Sequence, residues 1–185
     1  MQLEADGWLT SVRRLASPNA DERPPGTSID LLVIHCISLP PERYGGPWID
    51  ALFTNTLDCD AHPYFEGLRG LRVSSHLLLR RDGSLTQYVA LHRRAWHAGV
   101  SVWEGRERCN DYSIGIELEG DEQTPYTVRQ YRRLASLTRV LTRAYPAITP
   151  ARIVGHSDIA PDRKTDPGPS FNWERYRRSL HQLGA

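Results

Sequence analysis

The chain has 185 residues, 39% hydrophobic and 24% charged, a size and balance that suit one domain, residues 1–185, around one core. Its 23 basic and 22 acidic side chains leave a formal charge of +1, so no global field directs it to nucleic acid or to an anionic membrane. No apolar run approaches the roughly 18 residues of a membrane-spanning helix.

The N-terminus, MQLEADGW, lacks the basic start and apolar stretch of a secretion signal, which gives the expectation of a soluble, cytoplasmic protein. Residues 6–15 read as a short helix, broken by the Pro-, Asn-, Asp- and Gly-rich residues 17–27. Residues 29–34, IDLLVI, form an apolar run expected to be a strand buried on both faces, with His35 at its C-terminal end. Residues 49–53 suggest a short helix, and residues 54–70 a long irregular segment of the kind that is often functional. Asp82-Gly83 between residues 73–80 and 85–89 is a hairpin signal. Residues 112–118 alternate and are rich in Ile, predicting a strand that carries Glu117 near its end.

Thr127 with Gln130 resembles a capping box, and Tyr131, Leu134, Leu137 and Leu141 follow at helical spacing up to Tyr145-Pro146. A short strand over residues 152–154 ends at Gly155-His156, a loop with three prolines runs to Ser170, and residues 173–183 form a closing helix. Strands and helices mix without an internal repeat, so the fold class is α/β, a central mixed β-sheet flanked by helices.

Three candidate metal ligands stand out: His35 at a strand end, and His156 with Asp166 in GHSDIAPDRKTDPGP. Two imidazoles and a carboxylate suit a catalytic zinc with an open fourth position. Asp158 and Asp162 are alternatives to Asp166. The three cysteines, Cys36, Cys59 and Cys109, are odd in number and form no CxxC pair, so they read as free thiols in a reducing compartment. Strand alternation sends the Cys36 thiol away from His35. Arg72, Arg108 and Asn110 are candidate substrate-binding residues, since guanidinium suits carboxylates. His76, in an alternating strand, reads as structural. Arg129, Arg132 and Arg133 read as a solvated helix face that balances the acidic residues 119–122.

The pieces LLVIHCISLPPERYGGPWIDALF, RRDGSLTQYV, RAWHAGVSVWEGRERCNDYSIGIELEG and GHSDIAPDRKTDPGPSFNW resemble the AmpD branch of the zinc-dependent N-acetylmuramoyl-L-alanine amidases, from about Gly7 to Trp173. The resemblance implies a mixed sheet flanked by helices, shared with phage amidases and peptidoglycan recognition proteins. It also implies one Zn2+ on His35, His156 and Asp166, with Glu117 of IELEG as acid/base and Lys164 of RKTDPGP stabilising the negative charge that develops on the lactyl carbonyl oxygen. Trp96, His97 and Ala98 fall in the WHAG motif, which lies near the site in relatives. The implied reaction is hydrolysis of the amide between the lactyl group of 1,6-anhydro-N-acetylmuramic acid and L-alanine, in peptidoglycan recycling. A link to β-lactamase induction is implied by the resemblance alone. The expected partner is a small muropeptide, with no nucleic acid, membrane or obligate protein partner. A non-catalytic muropeptide-binding protein of the same fold is the alternative, against which the retained ligand set argues.

Overall fold

In a computed structural model, which describes residues 1–182, the chain builds strands β1 (Arg13–Arg14), β2 (Ala20–Asp21) and β3 (Leu31–Ile37), then helix α1 (Trp48–Phe53) and a 3-10 turn over Pro63–Leu68. Strands β4 (Leu77–Leu79), β5 (Leu85–Gln87), β6 (Arg94–Ala95), β7 (Val102–Trp103), β8 (Arg106–Glu107) and β9 (Ser113–Glu119) follow. Helix α2 (Val128–Ala144), β10 (Ile153–Gly155), α3 (His156–Ile159) and α4 (Trp173–Gln182) complete the order. Leu183, the last residue of the expected closing helix, lies outside the described residues.

Six strands form one sheet in the order β1-β5-β4-β9-β3-β10. The β4–β5 hairpin pairs antiparallel, as Asp82-Gly83 predicts, and the other neighbours pair parallel, so the sheet is mixed. The apolar run at β3 is central because it is buried throughout Leu31–Ile34 and can therefore take a strand on each side.

Alternation along β3 and β9 divides the core. Leu32, Ile34, Ile114, Ile116 and Leu118 pack on one face beneath α2 and α4. Leu31 and Val33 lie on the other face with Ala98, Cys109 and Val154, while Leu78 joins Phe53, Phe65 and Tyr88 under α1. His35 and Glu117, paired in register, emerge on this second face toward the C-terminal ends of parallel strands, where open α/β sheets place ligands.

Helix α2 starts at the predicted capping box: the Thr127 hydroxyl accepts the Gln130 N–H at 3.1 Å, and the Gln130 side chain accepts the Thr127 N–H at 3.0 Å. The Gln130 amide also donates to the Glu119 carbonyl at 2.8 Å, tying the helix start to the end of β9. Among the described residues no helix is long and apolar enough to cross a membrane. Cys36, Cys59 and Cys109 are unpaired thiols.

Four expectations need correction. Residues 6–15 are not helical: Leu9 donates to the Gln87 side chain at 2.8 Å, while the Gly7 carbonyl receives that side chain and the Leu91 N–H, each at 2.9 Å. Long-range partners thus satisfy backbone groups that a local helix would have used, and Gly7, at φ +80°, makes the turn. The long segment 54–70 carries a 3-10 turn that buries Phe65. His156 opens a four-residue helix instead of a loop. The arginines of α2 do not balance residues 119–122, because Glu119 pairs with Arg80, Asp121 with Tyr44 and Glu122 with Thr165.

Candidate metal centre and active site

His35 stands on β3, His156 opens α3, and Asp166 comes from the loop that returns beside them. Their donor atoms converge: His35 Nδ1 to His156 Nδ1 is 2.9 Å, and Asp166 Oδ2 is 3.2 Å from each. Ligands about 2.0–2.1 Å from a tetrahedral zinc lie about 3.3 Å apart, so the spacing fits such an ion.

Hydrogen bonds supply a second test. His156 Nε2 lies 3.1 Å from the Ala98 carbonyl, which can only accept. That nitrogen therefore carries the hydrogen, and Nδ1 of the neutral ring keeps its lone pair, facing a carboxylate. Such a convergence of acceptors suits a cation. Burial pushes His35 down to about 4, with the neighbouring His156 adding to the effect against the opposing Asp166, so the ring is neutral and its lone pair available.

The remaining acidic candidates near Asp166 are otherwise placed. Asp158 caps α3 by accepting the Gly155 N–H at 2.7 Å, and Asp162 is exposed. Cys36 points away from the cluster, and burial pushes its thiol up to about 12.

Glu117 sits beside His35, yet its Oε2 is buried without a hydrogen-bond partner. Burial, with the Asp166 charge next, raises its pKa well above the ordinary glutamate value, and Lys164 opposes them. Glu119, two residues on, is a different kind of group. It takes Arg80 Nη1 at 2.8 Å, the Gly45 N–H at 2.7 Å and the Arg81 N–H at 3.1 Å, which makes it a structural acid.

His35, Glu117, His156 and Asp166 line a cavity of about 620 Å³, within the range of roughly 300–1,000 Å³ usual for small-molecule sites. Lys164, Arg72, Trp96, His97 and Asn110 also line it. Ala98 does not: its side chain is buried, and its contribution is the carbonyl that receives His156. Arg108 does not either, being exposed, at φ +60° and turned to Asp111 at 3.3 Å. Asn110 spends its Oδ1 on the N–H groups of His97 and Ala98, at 3.0 and 2.8 Å, and so fixes the WHAG backbone. His97 faces the metal cluster directly, its Nδ1 2.9 Å from His35 Nε2.

Sequence reasoning passed over Arg163 and Tyr64. Arg163 reaches across the cavity rim to the carbonyls of Ala98 and Val100 at 2.6 and 2.7 Å; its adjacency to Lys164 was the available signal. Tyr64, on the 3-10 turn, is an exposed aromatic that also lines the cavity. His76 is structural, as expected: its Nδ1 accepts the Gly115 N–H at 3.0 Å and its Nε2 donates to the Arg93 carbonyl at 3.0 Å.

The family model described as N-acetylmuramoyl-L-alanine amidase matches residues 25–169. The 1,6-anhydro-N-acetylmuramyl-L-alanine amidase AmpD of Citrobacter freundii is 59% identical over 172 residues, 93% of this chain and 91% of its own. A solved AmpD structure, a selenomethionine derivative, superposes with a TM-score of 0.94 at 58% identity, covering 97% of this chain and 99% of that one. The Escherichia coli amidase AmiD, solved with the substrate anhydro-N-acetylmuramic acid-L-Ala-D-gamma-Glu-L-Lys, matches with a TM-score of 0.60 at 30% identity, over 87% of this chain and 65% of that one.

Proposed function

We propose, on the premise that this chain belongs to the N-acetylmuramoyl-L-alanine amidase family, that one zinc ion held by His35, His156 and Asp166 serves its reaction. That reaction is hydrolysis of the amide between the lactyl group of 1,6-anhydro-N-acetylmuramic acid and L-alanine, in peptidoglycan recycling. The observation carrying the zinc reading is the convergence of two imidazole nitrogens and a carboxylate oxygen within 3.2 Å of one another.

Zinc, when bound, supplies Lewis acidity that brings a water's pKa toward about 7 and draws charge from the scissile carbonyl. Glu117, unpartnered beside His35 and with a raised proton affinity, takes the proton of the attacking water. The same carboxyl returns a proton to the leaving L-alanine amine, so the amine departs neutral. Lys164, on the loop facing Glu117, offers its ammonium to the negative charge that develops on the lactyl oxygen.

The cavity lining suits a muropeptide. Tyr64, Leu68 and Leu71 offer apolar surface to the sugar ring, and Arg72 and Arg163 offer cations to peptide carboxylates. Trp96 and Asn110 line the same cavity. Arg108 is assigned at most a long-range electrostatic part, because it lies off the cavity. The reading includes a cytoplasmic setting, which three unpaired thiols suit.

The test is mass spectrometry of products from anhydro-muramyl-tripeptide, with and without a zinc chelator, beside Glu117→Ala. Free tripeptide that requires both zinc and Glu117 is the expected result. Intact substrate with full zinc occupancy would point to a binding protein.

A further inference from the structure

His97 lies at the cavity edge, yet both of its ring nitrogens are already committed to protein groups. Nδ1 is 2.9 Å from His35 Nε2, and Nε2 is 3.1 Å from Ser113 Oγ. Ser113 Oγ in turn is 2.5 Å from the Cys109 carbonyl. Two oxygens at that separation need a hydrogen between them, and a carbonyl has none, so the serine hydroxyl donates.

The direction of every other bond in the row follows. With its hydrogen spent on Cys109, Ser113 Oγ accepts from His97, so His97 Nε2 carries the ring hydrogen. His97 Nδ1 is then a lone pair that accepts from His35, which puts the His35 hydrogen on Nε2. The His35 Nδ1 lone pair is left facing His156 and Asp166. A backbone carbonyl thus sets the tautomer of a metal ligand three hydrogen bonds away.

We infer that His97 is a positioning residue for the metal centre, holding His35 in its Nδ1-ligating tautomer through the row His35, His97, Ser113 and the Cys109 carbonyl. It acts through His35 and touches neither metal nor substrate in this role. The arrangement parallels that of His156, whose Nε2 hydrogen is fixed by the Ala98 carbonyl, so both imidazole ligands are oriented from behind by hydrogen bonds.

The packing is specific to this use. The His97 ring lies over Gly115 of β9, where an added Cβ would meet His97 Cγ at 2.5 Å. Glycine at that point lets the ring reach the middle of the sheet, beside His35 on the neighbouring strand. Asn110 fixes the same ring from the backbone side by holding the His97 N–H.

This inference rests on zinc binding by His35, His156 and Asp166, and the experiment separates the two. Zinc affinity is measured by competition with a chelator for the full chain, for His97→Ala, for His97→Asn and for Ser113→Ala, with melting curves beside each. Asn offers an amide oxygen near the position of the histidine Nδ1, so it restores the acceptor without the ring. The expected pattern is a 10- to 100-fold loss of affinity in His97→Ala, substantial recovery in His97→Asn and a smaller loss in Ser113→Ala.

Two-bond proton–nitrogen NMR spectra of the metal-free full chain read the tautomers directly, expecting hydrogen on Nε2 of both His35 and His97. Hydrogen on His97 Nδ1 overturns the inference, as does a zinc affinity unchanged in His97→Ala. Equal loss in the Ala and Asn variants reduces His97 to packing and also overturns it. Failure of the unsubstituted chain to bind zinc would sink the metal reading itself, while the NMR result would still stand or fall alone.

Discussion

His35 and Glu117 face each other in register across β3 and β9, so two adjacent strands deliver a candidate metal ligand and a carboxylate whose Oε2 is buried without a partner to one point. The sheet's hydrogen bonds set their separation, and neither depends on a loop for its place.

Replacing Glu117 by Gln keeps the shape and removes the proton acceptor. Turnover should fall by about 10²- to 10⁴-fold while zinc content stays at one per chain. Steady-state kinetics with metal analysis decide this, and near-normal turnover would remove Glu117 from the reaction.

The pH profile follows from the same residue. Glu117 must be ionised to accept a proton, so kcat/KM should fall as pH drops through its raised pKa. Burial and the Asp166 charge raise that value and Lys164 lowers it. Lys164→Met should therefore move the acid limb to higher pH, besides slowing the reaction. An acid limb that stays in place would uncouple the two groups.

Glu119 predicts the opposite outcome. Its removal leaves Arg80, a largely buried guanidinium, without this carboxylate and with only the Gly46 carbonyl at 3.1 Å and a 3.4 Å contact to Asp50. Glu119→Ala should cost about 3–5 kcal/mol of stability, read from urea unfolding, with zinc affinity near normal. A variant that is stable but inactive would mean that the two glutamates have exchanged roles.

Substrate recognition separates Arg163 from Arg108. Arg163→Ala, which opens the cavity rim, should raise KM several-fold, whereas Arg108→Ala should change it little at moderate salt. The reverse ranking of the two KM values would show that peptide carboxylates bind outside the cavity described.

The central strands, the Asp82-Gly83 hairpin and the capped helix α2 were legible because each is specified locally, by an apolar run, a turn pair or a cap. Residues 6–15 were not, since Gln87, a distant residue, takes their backbone groups. The short helix at His156 was hidden for a related reason: its cap, Asp158, read as a spare metal ligand until its bond to Gly155 was visible. The donor set was carried by motif wording. The use of His97 was not, because it depends on Gly115 lying directly beneath the ring, a fact of strand register. Arg108 belongs to a motif but turns outward on a left-handed backbone to meet Asp111.

His35 and Asp166 are 131 residues apart along the chain, so an ion shared between them would act as a clasp as well as a reagent. A permanent cross-link over a loop of that length would remove roughly 5 kcal/mol of unfolded-chain entropy. A reversible one stabilises by mass action, by about 4 kcal/mol where free metal exceeds its dissociation constant a thousandfold. Metal supply would then govern how long the folded enzyme survives, and a cell short of zinc would lose the protein by unfolding and proteolysis as well as its turnover.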